Sequence, residues 1–189
     1  MRQLALHLQD LGENSLAAGA TRLAIEVRDL ASADLVEFVV ADNGRGMAES
    51  FVKKLTDPFA TTRTKRQVGL GIPLLAQAAE RTGGGIQIES SLGEGTVVRA
   101  RFCRSHLDLA PMGDLALTVM SLIVAQPELD LEFYYETDKG SFQWQSQKAQ
   151  EAAAPLSLAQ PEVACFLRDY LWEQIGQLQT VAADGGGKC

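Results

Sequence analysis

The 189-residue chain is 46% hydrophobic and 22% charged with a formal net charge of -7, a globular composition that excludes wholesale disorder and a fibrous repeat. Its most apolar stretch, Leu115 to Ala125, is shorter than the roughly 20 residues a membrane helix takes, so no membrane segment is expected. Residues 1–103 hold 12 basic and 12 acidic side chains whereas residues 104–189 hold 5 and 12, so the excess charge lies wholly in the second part, which argues against nucleic acid there. A partner with a basic surface suits that part better, with a merely solvating acidic face as the plainer reading. Cys103, Cys165 and Cys189 are odd in number and lack metal-type spacing, which fits a reducing compartment. No basic leader with an apolar run opens the chain, so a cytoplasmic protein is expected.

Residues 2–18 place Leu4, Leu8 and Leu11 on one helical face, with Asp10 and Asn14 one turn apart beside it, which predicts a half-buried helix. Leu23, Ile25 and Val27 alternate as a strand, and Leu35 to Ala41 is a second strand ending at Asp42. Residues 48–55 suit a short helix, and Thr61 to Gln67 form a basic loop. Pro73 then sits early in a helix running to about Thr82, where its missing N–H costs little. Gly83-Gly84-Gly85 ends that helix. Ile86 to Ser90 and Val97 to Phe102 predict two further strands around the glycine-rich turn Leu92 to Thr96.

In the second part, Leu115, Val119, Leu122 and Ile123 belong to an apolar helix that must be buried. Leu131, Phe133 and Tyr135 followed by Asp138-Lys139-Gly140, Phe142 and Trp144 predict a hairpin. The Gln-, Ala- and Ser-rich residues 146–160 resemble a linker, and Val163 to Ile175 carry the stripe of a last helix. The expected division is an α/β unit over 1–103, an acidic helix–hairpin–helix extension with a partner-binding role over 104–182, and a flexible tail over 183–189.

Four motifs point to a nucleotide pocket. Asp42, at a strand end, can accept a hydrogen bond from an adenine amino group, and Gly44 and Gly46 leave room for a flat base. Asn14 offers a neutral oxygen suited to Mg²⁺ on phosphates, and Asp10 on the same face could hold a water. Thr61, Thr62, Arg63 and Lys65 precede Gly69-Leu70-Gly71, where glycine N–H groups and a helix N-terminus favour phosphates. Gly93-Glu94-Gly95-Thr96 completes the order. Taken singly, each has a plainer reading: a turn at Asp42 to Gly46, a solvated position at Asn14, a solvated basic loop at Thr61 to Arg66. Structural or surface roles are expected for His7 and His106.

In combination these residues resemble the superfamily of DNA gyrase, the ninety-kilodalton heat-shock chaperone, mismatch-repair MutL proteins and sensor histidine kinases. Glu13 to Arg22 is similar to the MutL form of the asparagine helix, whereas Asp57-Pro58-Phe59, Thr61-Thr62, Gly69-Leu70-Gly71 and Gly93 to Thr96 resemble a histidine-kinase catalytic domain. The likeness covers about residues 3–103. It implies a Bergerat-type two-layer α/β (α+β) sandwich binding ATP and Mg²⁺. Asp42 would bind adenine, Asn14 the metal, Gly69 and Gly71 would frame a lid, and Thr96 would hydrogen-bond Asp42. The whole chain is similar to stand-alone kinase-like ATP-binding proteins of anaerobic bacteria, some encoded beside iron-only hydrogenases, which implies a hydrogenase-related partner.

Two departures shape the functional expectation. Hydrolysing members carry Glu where this chain has Asp10, which makes strong ATPase activity doubtful. No two-helix module with a phosphoacceptor histidine precedes Asn14, so self-phosphorylation of the usual kind is not expected. The leading expectation is an ATP-dependent protein (histidine) kinase-like phosphotransferase acting in trans on a separate partner in signal transduction, since phosphoryl transfer rests on Mg²⁺ and positioning. The alternative is an ATP-gated binding module whose lid, residues 60–68, orders around nucleotide, or a weak ATPase regulating a partner complex.

Overall fold

A computed structural model of the chain describes residues 3–56 and 71–179. Twelve elements follow in order among the described residues: α1 (Ala5–Ala17), β1 (Arg22–Leu30), β2 (Leu35–Asp42), α2 (Glu49–Thr56), α3 (Gly71–Arg81), β3 (Gly85–Ser91), β4 (Gly95–Cys103), α4 (Leu115–Ala125), β5 (Asp130–Thr137), β6 (Gly140–Gln145), α5 (Ser146–Ala153) and α6 (Pro161–Leu178). The six strands form one sheet in the order β3-β4-β2-β1-β5-β6. Only β1 and β5 run parallel, in the register Ile25 to Phe133 and Val27 to Tyr135. The other neighbours are antiparallel.

Alternation in the strands decides which face is dry. Leu23, Ile25 and Val27 on β1, Val36, Phe38 and Val40 on β2, Val98, Ala100 and Phe102 on β4, and Leu131, Phe133 and Tyr135 on β5 are all buried on one side. Against them pack Leu4, Leu8 and Leu11 of α1, Leu75 and Ala79 of α3, Leu115, Val119 and Ile123 of α4, and Leu171 and Ile175 of α6, in one continuous core. This is the expected two-layer α+β sandwich. The opposite face is polar. At its centre the Glu37 carboxylate meets Arg101 Nε at 2.7 Å, Arg28 Nη1 at 3.1 Å and Arg99 Nη1 at 3.3 Å, so a buried charge there is paired rather than orphaned.

The second part of the chain is built into the first. The β5–β6 hairpin extends the sheet beyond β1. The start of α1 has no side-chain cap; instead Leu4 N and Ala5 N donate to Pro111 O and Met112 O at 2.9 and 2.8 Å, which satisfies donors that a helix start leaves open. One expectation needs correction. Residues 146–153, read as linker, form α5, because Ala, Gln, Lys and Glu are good helix formers and nothing breaks the run before Pro155. The tail 183–189 lies outside the described residues.

Candidate nucleotide site

The sharp end of β2 is fixed to α1 by a side-chain bridge. Ser15 Oγ donates to Asp42 Oδ2 at 2.7 Å, and Gly44 N donates to Asp42 Oδ1 at 2.8 Å. Asn43 clips the neighbouring turn: its Oδ1 accepts from Thr21 N and Arg22 N at 2.9 and 2.8 Å, and its Nδ2 donates to Thr21 Oγ1 at 2.9 Å. Arg45 is held through its backbone, with its N–H on Ala18 O at 3.0 Å and its carbonyl accepting from Gly93 N at 2.8 Å. The Asp42–Gly46 loop is therefore braced from α1 on one side and from the β3–β4 turn on the other.

The glycines of this loop answer to that bracing. A Cβ on Gly44 would come within 2.9 Å of Ala18 Cβ and 3.0 Å of Asp42 Oδ1. Gly46 has φ +64°, and a Cβ there would run into the Ser91 carbonyl. The close approaches are thus to protein atoms.

One turn of α1 carries the next part of the site. A Cβ on Gly71, the first residue of α3, would sit 3.0 Å from Asp10 Cβ and 3.4 Å from Asn14 Nδ2. Asp10, Asn14 and Gly71 therefore converge, with Asn14 directly before Ser15, the residue that holds Asp42. The Asn14 carboxamide makes no hydrogen bond among the described residues. A half-exposed, unengaged amide oxygen beside a helix start fits a hard cation carried on phosphates. Burial, with Glu13 adding to it, holds the Asp10 carboxyl above the usual carboxylate range, which makes it a better proton acceptor than an ordinary aspartate. No group of three or more His, Cys, Asp or Glu side chains suited to an all-protein metal site occurs among the described residues.

Thr96 departs from its expected contact. It stands opposite Asp42 in the β2–β4 register, but its hydroxyl pairs with Ser90 Oγ at 2.9 Å. Ser90 Oγ also donates to Gly95 O and accepts from Met47 N, both at 2.8 Å. Thr96 thus helps close the turn behind the loop, and the hydroxyl on Asp42 is Ser15. That role had a signal in the sequence: Ser15 continues the buried stripe Leu4, Leu8, Leu11 at helical spacing, and a hydroxyl on an apolar stripe needs a partner. Thr61, Thr62, Arg63, Lys65, Gly69 and Leu70 lie outside the described residues.

Neither histidine side chain is hydrogen-bonded to a residue of this site among the described residues. His106 Nδ1 accepts from Asp108 N at 3.1 Å in a turn. His7 is 3% exposed with Nδ1 unpaired, and it lines a cavity of about 90 Å³ together with Leu74, Arg81, Thr82 and Asp108.

Comparison with known proteins identifies the family. Residues 2–106 match the model of the histidine kinase-, DNA gyrase B- and HSP90-like ATPases. The chain belongs to that family. It is 37% identical to the sensor kinase CckA of Brucella abortus over 87 residues, 46% of this chain and 9% of that protein. It is likewise 37% identical to the histidine protein kinase DivJ of Caulobacter vibrioides over 82 residues, 41% of this chain and 13% of that one. A solved N-terminal domain of a DNA repair protein superposes with TM-score 0.53 at 13% identity, covering 77% of this chain and 52% of that one, and so shares the fold. The chain spans less than a fifth of the curated relatives it matches. No helix among the described residues is long and apolar enough to cross a membrane.

Proposed function

We propose that this family member binds Mg-ATP between α1, the Asp42–Gly46 loop and the start of α3, and passes the γ-phosphoryl group to a separate protein. The observation that carries the reading is the Ser15–Asp42 hydrogen bond of 2.7 Å. It locks the adenine-binding carboxylate to the same helical turn that presents Asn14, so both ends of the nucleotide would be gripped from one rigid element. Asp42 would accept from the adenine amino group, Asn14 would ligate the metal, and the N–H groups at the start of α3 would receive phosphate oxygens. Bound Mg²⁺ would neutralise charge between the phosphates. Asp10, made more basic by burial, would orient a water or the incoming group. The attacking nitrogen of a neutral imidazole acceptor carries a lone pair and no proton, and the N–H on its other ring nitrogen is lost from the phosphorylated ring as ADP leaves, so the attack itself does not need a strong base.

Residues 104–182 are assigned the docking of the acceptor, and a hydrogenase-linked protein is one candidate acceptor. We place the reaction in the cytoplasm, in keeping with the free thiols of Cys103 and Cys165. Incubation with γ-labelled ATP and the proteins that copurify with the chain tests the transfer. Label on a partner histidine is expected. Label that stays on ATP, with partner affinity differing between ATP- and ADP-loaded protein, selects the gated-module reading instead; equal affinities and no transfer would sink both.

A further inference from the structure

The outer surface of the helical layer carries apolar groups that the fold does not use. Among the described residues, Leu6 of α1, Leu117 and Val124 of α4, and Phe166, Tyr170 and Trp172 of α6 make up six of the ten exposed large hydrophobics. Solitary exposed apolar residues need no explanation, but a concentration on neighbouring helices does.

The sharpest part lies where α6 packs against α4. On α4, Leu117, Ser121 and Val124 recur at helical spacing on the outward side, with Leu117 53% and Val124 48% exposed. On α6, Cys165, Arg168 and Trp172 share one edge by the same spacing, and Trp172 is 65% exposed. That edge is the one turned toward α4, because Tyr170 on the opposite edge of α6 meets Phe142 of β6 edge-on. The two stripes therefore border one shallow groove.

Charge around this groove selects what can fill it. Arg168 is engaged by Asp169, with Nη2 and Nε at 2.6 and 3.1 Å from Oδ1. Along the crest of α6, Glu162, Asp169 and Glu173 follow at helical spacing, and Asp114 and Glu128 flank the two ends of α4. A second copy of this chain would bring the same acidic crest against itself, and an anionic lipid surface would be repelled in the same way.

We propose that the α4–α6 groove docks an amphipathic helix of a partner protein, its apolar stripe against Leu117, Val124 and Trp172 and its lysines or arginines against the α6 crest. The mode is helix-in-groove recognition with an aromatic anchor. It deepens the reading of a trans-acting protein by giving its partner a surface and a chemistry, yet its test needs no nucleotide.

Trp144 is 7% exposed and Trp172 65%, so quenching of tryptophan fluorescence by acrylamide reports chiefly on Trp172. The full chain is titrated with a helical leucine/lysine peptide of about 18 residues, five turns, and with a leucine/glutamate peptide of the same leucine pattern. The lysine peptide is expected to protect Trp172 and shift its emission to the blue, with weakening at higher salt. Leu117→Asp and Val124→Asp should each weaken that binding about tenfold or more, while circular dichroism and ATP affinity stay as in the wild type. Absence of protection by the lysine peptide overturns the proposal. So does protection that survives both aspartate variants, equal binding of the glutamate peptide, protection by phospholipid vesicles in place of the peptide, or a wild-type dimer that Leu117→Asp converts to monomer. Loss of ATP binding alone would leave this surface standing and remove only the nucleotide reading.

Discussion

Ser15 is 4% exposed and spends its hydroxyl on Asp42 Oδ2 and on Leu11 O at 3.2 Å. Ser15→Ala would leave Asp42 with the Gly44 N–H on Oδ1 but, among the described residues, no donor on Oδ2, and it would lose a buried hydrogen bond. We expect a stability loss of about 1 kcal/mol and a roughly fivefold weaker grip on ATP, read by urea unfolding and by calorimetric titration of the same samples; a variant with wild-type affinity would show that the Ser15 contact is not needed at the pocket. His7 offers a pH test. Burial pushes its imidazole below the ordinary value of 6.5, so above that pH the ring is neutral in both folded and unfolded chains. As the pH falls below 6.5 the unfolded chain takes up the proton first, and stability declines until the folded value is passed. Burial is the main cause of that lowering, and Arg81 and Asp108 line the same cavity with opposite charges. Urea midpoints measured from pH 8 down to about 5 should drop in the wild type and drop less in His7→Gln. Parallel profiles would contradict this assignment.

Elements hold together through a few polar contacts that no local pattern announces. Ser146, at the start of α5, is buried and donates to Leu129 O at 2.7 Å while accepting from Leu131 N at 2.8 Å; it ties the end of the hairpin to the head of β5. Ser146→Ala should cost about 1–2 kcal/mol and speed hydrogen exchange at the Leu131 amide, whereas an unchanged exchange rate would show that the strand is held without it. The sequence made the element types legible where periodicity was strong, as in the alternating Leu23, Ile25 and Val27 or the all-apolar α4. It did not reveal α5, where helix-forming residues carry too little apolar patterning to stand out from a linker. It also did not reveal which strand the hairpin joins, because β1 and β5 pair in parallel across more than a hundred residues and no turn chemistry encodes that. At the site, the strand-end Asp42 and the Asn14 helix were legible from chemistry and order, and the stripe position of Ser15 signalled a buried hydroxyl in need of a partner, while the identity of that partner and the Ser90–Thr96 bond depend on tertiary packing.

At the level of the whole molecule, the core runs from α1 and β1 into α4, β5 and α6 without a seam. A fragment of residues 1–103 would bare the Leu23, Ile25 and Val27 strand on its β5 side and the α4-facing side of α1. We expect it to lose cooperative thermal unfolding; a fragment that melts sharply and binds ATP would show that the second part is an appendage. The same continuity means that α4 and α6, which carry the proposed docking surface, and α1, which carries Asn14, belong to one packed body. Nucleotide binding at Asp42 is the step on which partner phosphorylation would depend. Calorimetric titration of ATP with Mg²⁺ into the wild type and Asp42→Asn, checked for equal melting, is the most direct test. Saturable binding that Asp42→Asn weakens at least about tenfold, roughly 1.4 kcal/mol, is the predicted result, and equal affinity of the two proteins, or no binding by the wild type, would contradict it.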